Sequence, residues 1–333
     1  MCACLKEFFS LPKSAGGFGR YTFKSLVEKM WLVKRNTLCN NVKEDMHTIW
    51  KETQGQFIET DQLLIKSSSA AAASRQLKSM QNSKASNHLL ALPLQGVSVK
   101  IIQKTVSTKD ISLWSETIEQ SSSLIFNFAR KALLQVLPTA SNLAKWGRLQ
   151  DPVCSLCKMG VNQTNLHVLS ICSASAALAR YSARHNDILQ LIVNWLNSVL
   201  SKDQLLFCDL PEYAFPVSEL FTSKRPDIVI SDNVSLVTLE LTVCHESNMV
   251  TSKQYKLDKY QCLADCRVNK ERHKLLNNFT VEVSTLGFLS STANFSKACK
   301  LPEMSKSLKQ SIIRTVLNSS YKIYCYRNCD SLP

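Results

Sequence analysis

KRPDIVISDNVSLVTLELTVCHESNMVTSKQYKLDKY, residues 224–260, places carboxylates and lysines inside an otherwise apolar alternation, and its reading decides the fold. Ile228, Val229 and Ile230, then Leu236, Val237, Leu239, Leu241 and Val243, broken by Ser231-Asp232-Asn233, read as two strands joined by a tight turn. Asp227 opens the first strand behind Pro226, which can start a strand but cannot donate within a ladder. Glu240 lies well inside the second strand, and a hairpin of this size brings the two carboxylates to one side of the sheet. A lone glutamate between Leu239 and Leu241 is costly to bury, so it must meet a cation or a wet cleft. Hard oxygen ligands of this kind suit Mg2+.

Residues 252–267 contain neither Gly nor Pro and read as a helix. Lys256 and Lys259 stand three residues apart on it, with Tyr260 beside them, so two ammonium groups project from one face. Phosphodiester cleavage needs carboxylate-held metal to activate water and a cation to stabilise the phosphorane. This stretch holds both kinds of group. Taken one at a time, the same residues also describe an inert surface hairpin followed by a basic helix.

Arg225-Pro226-Asp227, Glu240-Leu241-Thr242-Val243, Glu246 and Lys256-Leu257-Asp258-Lys259-Tyr260 together resemble the PD-(D/E)XK superfamily. The resemblance is closer to the restriction-like endonuclease at the C-terminus of site-specific non-LTR retrotransposon polyproteins. It implies a DNA endonuclease that nicks chromosomal target DNA and exposes a 3′ hydroxyl to prime reverse transcription. Asp227 and Glu240 would bind Mg2+, Lys256 and Lys259 would meet the scissile phosphate, and Tyr260 would pack or hydrogen-bond beside them. Thr242 stands where the wider superfamily has lysine, and in the retrotransposon branch the following helix supplies that cation. The implied partners are target DNA and the element's RNA, and the implied location is the nucleus. The alternative function is a nucleic-acid-binding remnant without catalysis.

The 333 residues suffice for two or three modules. Lys and Arg number 40 against 26 Asp and Glu, a net charge of +14 spread along the chain, which favours a polyanionic partner. No apolar run approaches the roughly 18 residues of a membrane span, and no secretory apolar segment follows Met1. A soluble, intracellular chain is expected, and most of its 13 cysteines are expected to be reduced.

Within that chain, Cys154-x2-Cys157-x9-His167-x4-Cys172 offers three thiolates and an imidazole. That set fills a tetrahedral Zn2+ shell with no open position, so the expected role is structural. The motif resembles the CCHC knuckle between polymerase and nuclease in the same elements. Just upstream, Lys145, Trp146 and Arg148 lie in an expected loop, residues 138–152. There the indole either stacks on a base between cations or anchors the loop to a core. Arg184, His185 and Asp187, on an expected helix over residues 173–201, resemble an element that opens the family's nuclease domain. Arg184 and Arg225 join the expected nucleic-acid contacts. Asp187 is either an auxiliary acid or part of a charged helix turn.

An α/β chain in five stretches results: a helical thumb-like segment (1–65) and a low-complexity basic linker (66–107) come first. A helical linker (108–150), the CCHC knuckle (151–173) and a restriction-like domain with a helix-flanked mixed sheet (174–333) complete it. Residues 66–87 are read as a linker or basic loop, being rich in Ser, Ala and Lys. Residues 110–137 are read as one or two helices ended by Pro138, with Arg130 and Lys131 on a solvated face. Phe279 to Val283 is expected as a strand, 301–318 as a basic amphipathic helix, and 321–326 as a closing strand. The turn at Gly16-Gly17-Phe18-Gly19 followed by helices resembles the start of a polymerase thumb. No Tyr/Phe/Ala-x-Asp-Asp motif occurs in the chain, so reverse transcriptase activity is not expected of this polypeptide. Its C-terminus is expected to be complete and its N-terminus not.

Overall fold

The computed structural model describes residues 11–15, 17–19, 26, 29–30, 70–213, 225–261 and 275–331. Most of the expected thumb-like segment lies outside them. The chain divides into two compact units, Met1–Gly96 and Val97–Pro333.

In the first unit, Gly17 passes so close to Leu11 that a Cβ on it would stand 2.4 Å from the Leu11 carbonyl oxygen, which explains a glycine at that turn. Helix α1, Ala70–Ala91, takes the place of the linker or loop expected over residues 66–87, of which 66–69 lie outside the described residues. Low apolar content argues against a buried core, but it does not argue against a helix. Ala, Arg, Gln, Leu, Lys and Met are all strong helix formers, and they fill this segment.

The second unit begins within α2 (Gln95–Thr105) and continues with α3 (Thr108–Glu119) and α4 (Ser123–Leu133). Two helices, not one, fill residues 110–137, because Ser122 caps a new start by accepting from Ile125 N. Trp114 is fully buried, donates to Leu286 O at 2.6 Å and stacks on Phe288 with centroids 4.2 Å apart. The helical stretch therefore shares a core with the sheet. The expected loop at 138–152 begins with a short helix, α5 (Ala140–Lys145), docked by Gln163, whose side chain accepts from Ala140 N.

Helix α6 (Ser175–Val199) precedes β1 (Leu205–Cys208), β2 (Ile228–Ser231) and β3 (Ser235–Cys244). Strands β2 and β3 are the expected antiparallel hairpin, with Ile228 opposite Leu239. Asp232 closes its turn by accepting from Val234 N and Ser235 N through one carboxylate oxygen. Helix α7 (Met249–Gln261) leads towards β4 (Leu275–Ser284), which runs parallel to β3 with Glu240 opposite Thr280. The sheet order is β1-β2-β3-β4. Gly287, at φ +88°, forms the expected break after β4, where a Cβ would stand 3.2 Å from Ile313 Cα.

Helices α8 (Ala293–Ala298) and α9 (Lys306–Cys325) follow. The closing strand expected at 321–326 is therefore helix. Ile312, Val316, Ser320 and Ile323 continue one buried stripe at helical spacing, and no Gly or Pro interrupts it. One face of the sheet, carrying Ile228, Ile230, Leu239, Leu241, Val281 and Val283, packs on α6 and α9. On the other, Val229 and Leu236 meet Tyr260 of α7. The architecture is thus a mixed four-stranded sheet between helices, as the α/β expectation required. Among the described residues, no helix is long and apolar enough to cross a membrane.

Candidate active site and metal centre

The β2–β3 register that puts Ile228 opposite Leu239 brings Asp227, just before β2, level with Glu240 inside β3. Their contact is direct: Asp227 N donates to Glu240 Oε1 at 3.0 Å, while Asp227 Oδ2 accepts from Leu241 N at 2.8 Å. The aspartate side chain thereby holds the strand that carries its partner. From α7, Lys256 Nζ reaches Glu240 Oε2 at 2.7 Å and Asp227 Oδ2 at 3.9 Å. From α6, His185 Nε2 comes within 3.5 Å of Asp227 Oδ2 and 3.3 Å of Leu241 O. Four residues from three distant segments thus converge on the sheet's two middle strands.

Burial separates the two carboxyls. Desolvation, followed by the neighbouring Asp227 charge, pushes Glu240 up to about 7 against the pull of Lys256. Burial also acts to raise Asp227, but the His185 hydrogen bond and the His185 and Lys256 charges outweigh it and hold that carboxyl below its usual range. His185 is raised, because Asp227 overcomes the desolvation that would lower it. Lys256 is raised in the same way by the two acids, against its own burial. Near neutral pH the cluster therefore holds a firm anion at Asp227, the Lys256 ammonium, an imidazole at His185 whose protonated form Asp227 favours, and a carboxyl at Glu240 poised to take or release a proton.

Lys259 and Tyr260 stand one step away. Lys259 Nζ donates to Tyr260 Oη at 3.0 Å and lies 4.7 Å from its ring centroid. Tyr260 Oη donates to Arg225 O, and Arg225 pairs with Asp209 at 2.6 Å. Of the two expected lysines, only Lys256 touches the carboxylates. Lys259 instead braces, through Tyr260, the chain that leads into Asp227, and the Tyr260 phenol also lies against the Glu240 carboxyl.

Three further residues are placed differently from a nuclease-site expectation. Arg184 is only 1% exposed and donates to Ser320 Oγ and Leu169 O, so it is a buried tie and not a nucleic-acid contact. The apolar neighbours Ile188 and Leu189 one turn on foretold that face. Asp187 turns to Ser319 on α9, away from the carboxylate pair. Glu246 is buried and accepts from Thr285 Oγ1 and Leu286 N, which makes it a structural cap for the turn after β4. The residue that sequence reasoning undervalued is His185.

The Cys/His motif closes as expected. The ligand atoms of Cys154, Cys157, His167 and Cys172 all lie within 4.8 Å of one another. A short hairpin presents the first pair: Cys154 N donates to Val161 O at 2.9 Å and Gln163 N to Pro152 O at 2.8 Å. His167 sits on a π-helical turn, His167–Ile171. Tyr181 of α6 holds that turn, donating to Val168 O at 2.7 Å and accepting from Cys172 N. Burial, reinforced by the neighbouring Cys154 and Cys157 and opposed by the Ala174 backbone, pushes Cys172 up to about 12, so a divalent ion is the natural source of the charge that would make it a thiolate. These four residues can hold a metal ion such as zinc. Trp146 and Arg148 lie exposed on the loop just before this module, while Lys145, expected in the same loop, is the exposed last residue of α5.

No family model matches the chain, and no curated protein matches it.

Proposed function

We propose that this chain is a metal-dependent DNA endonuclease with a restriction-like core, derived from the C-terminal part of a non-LTR retrotransposon polyprotein. In that role it nicks target DNA to prime reverse transcription, and works in the nucleus. The observation that carries the reading is the convergence of Asp227, at the entry to β2, with Glu240 of β3 and Lys256 of α7 on the sheet's middle strands. Their sequence order leads to that meeting, and an acid pair with one ammonium is the equipment of phosphodiester cleavage.

The carboxylates of Asp227 and Glu240 would position a Mg2+ ion, which would supply the Lewis acid and the activated water. Lys256 would stabilise charge gathering on the phosphate. Glu240, with its raised affinity for a proton, suits proton transfer near neutral pH. The +14 charge would hold the DNA backbone, with Lys145, Trp146, Arg148 and Arg225 as contacts.

A second reading, a nucleic-acid-binding remnant without catalysis, is favoured by one detail. Lys256 already neutralises Glu240 at 2.7 Å, so the acids are stable as an ion pair without chemistry. Supercoiled-plasmid nicking in Mg2+, compared between the intact chain and Asp227→Ala, separates the two. Nicking that disappears in the variant supports the enzyme; an inert parent that still binds DNA leaves the remnant.

A further inference from the structure

The face of the sheet that α7 covers carries a second set of oxygens. In the parallel β3–β4 ladder, Glu240 stands opposite Thr280 and Thr242 opposite Glu282. Leu239, Leu241, Val281 and Val283 belong to the core on the other face, so alternation puts those four residues on the α7 side. Glu240 and Glu282 are each 2% exposed. Thr242 Oγ1, Thr280 Oγ1 and Glu282 Oε1 are buried without a hydrogen-bond partner, and no cation among the described residues pairs with Glu282. Asp227 meets Leu241 N, His185 and Lys256 through one oxygen, Oδ2.

We propose that Glu240, Glu282 and the hydroxyls of Thr242 and Thr280 form a site for one hard divalent cation, Mg2+ or Mn2+. Two residues along a strand advance about 6.6 Å and adjacent strands lie about 4.8 Å apart, so the two glutamate Cα atoms are roughly 8 Å apart. Side chains of that length can close on a single ion from opposite sides. Two carboxylates and two hydroxyls are an all-oxygen donor set, which excludes the thiol-preferring metals and balances a double positive charge. Asp227 N and Lys256 already hold the two Glu240 oxygens, so the ion would share that carboxylate through its remaining lone pairs, with Glu282 and the two unpartnered hydroxyls supplying the other donors. The catalytic meaning of this site rests on the nuclease reading, and it moves the ion from the Asp227–Glu240 pair to the Glu240–Glu282 pair. The binding itself does not rest on it.

The test uses the full, zinc-loaded chain, titrated with Mn2+ and followed by electron paramagnetic resonance, with zinc content measured in the same sample. The parent binds a single Mn2+, and Glu282→Gln, which keeps shape and removes charge, weakens it by at least about tenfold. Thr242→Val, which removes only a hydroxyl, weakens it by a smaller factor and decides the matter if the glutamine variant does not fold. A parent that binds no Mn2+, or unchanged affinity in Glu282→Gln, or in Thr242→Val where Glu282→Gln does not fold, overturns the proposal. Nicking scored on the same preparations keeps the two readings apart. Glu282-dependent Mn2+ binding without nicking keeps the site and sinks the nuclease. Nicking whose Mg2+ requirement ignores Glu282 does the reverse.

Discussion

The ammonium of Lys256 donates to Glu240 Oε2 at 2.7 Å while standing 3.9 Å from Asp227 Oδ2. Lys259, three residues on, turns away to Tyr260. The two lysines are therefore predicted to differ. Under the nuclease reading, Lys256→Ala slows single-turnover nicking at saturating protein by about 10²- to 10³-fold, the scale of losing one preorganised charge donor. Lys259→Ala acts only through the Tyr260 brace and slows it far less. Equal rates for the two variants would show that neither ammonium serves the chemical step.

His185 and Asp227 make stability depend on pH in a definite direction. A histidine raised above its ordinary 6.5 contributes stability that is complete below that value and is lost as pH rises through the raised one. The lowered Asp227 contributes above its ordinary 3.8 and loses that contribution as pH falls. The pair is thus strongest in the window between the two values. Thermal unfolding of the parent and His185→Gln should differ most near about pH 5.5 and least near about pH 9. A gap that stays constant across that range would remove the ion pair from the account.

The Cys154, Cys157, His167 and Cys172 cluster should purify with about one Zn2+ per chain, because its donor set is closed and tetrahedral. Cys157→Ser lowers zinc content and melting temperature together, since ligand binding to the folded state stabilises it by mass action. The effect extends into α6, because Tyr181 and Arg184 grip the His167 turn through Val168 O and Leu169 O. Metal analysis with thermal unfolding, before and after chelator, checks both statements. Full zinc loading in Cys157→Ser would exclude that residue as a ligand.

The hairpin was legible because alternation with a period of two reports a strand directly, and residues 228–243 keep it around a polar turn. The ligand spacing of the cysteine cluster was legible for a similar reason, since local chain geometry sets it. Residues 321–326 misled because Tyr-Lys-Ile-Tyr-Cys-Tyr has β-type residues, while the stripe that decides them starts at Ile312, outside that window. Strand β1 spans only four residues, Leu205–Cys208, too few for a period to show. The role of His185 depends on where a strand far along the chain places Asp227. No local pattern contains that information.

Arg184 and Arg148 provide the last separation, because the sequence treats them alike and the structure does not. Arg148 is exposed on the loop after α5, while Arg184 is 1% exposed and bonded to Leu169 O and Ser320. If Arg148 meets a phosphate, Arg148→Ala lowers the slope of log affinity against log salt on duplex DNA by about 0.9, the share of one neutralised phosphate, and leaves folding intact. Arg184→Ala has the opposite profile. It strands the Leu169 carbonyl and opens a cavity between α6 and α9, at a cost of about 3–5 kcal/mol, as expected when a buried, bonded charge is removed. The salt slope of the protein that stays folded is unchanged. Fluorescence binding across a salt series, paired with urea unfolding, measures both. A lower salt slope in Arg184→Ala at full stability would return that guanidinium to the DNA surface and contradict the burial seen here.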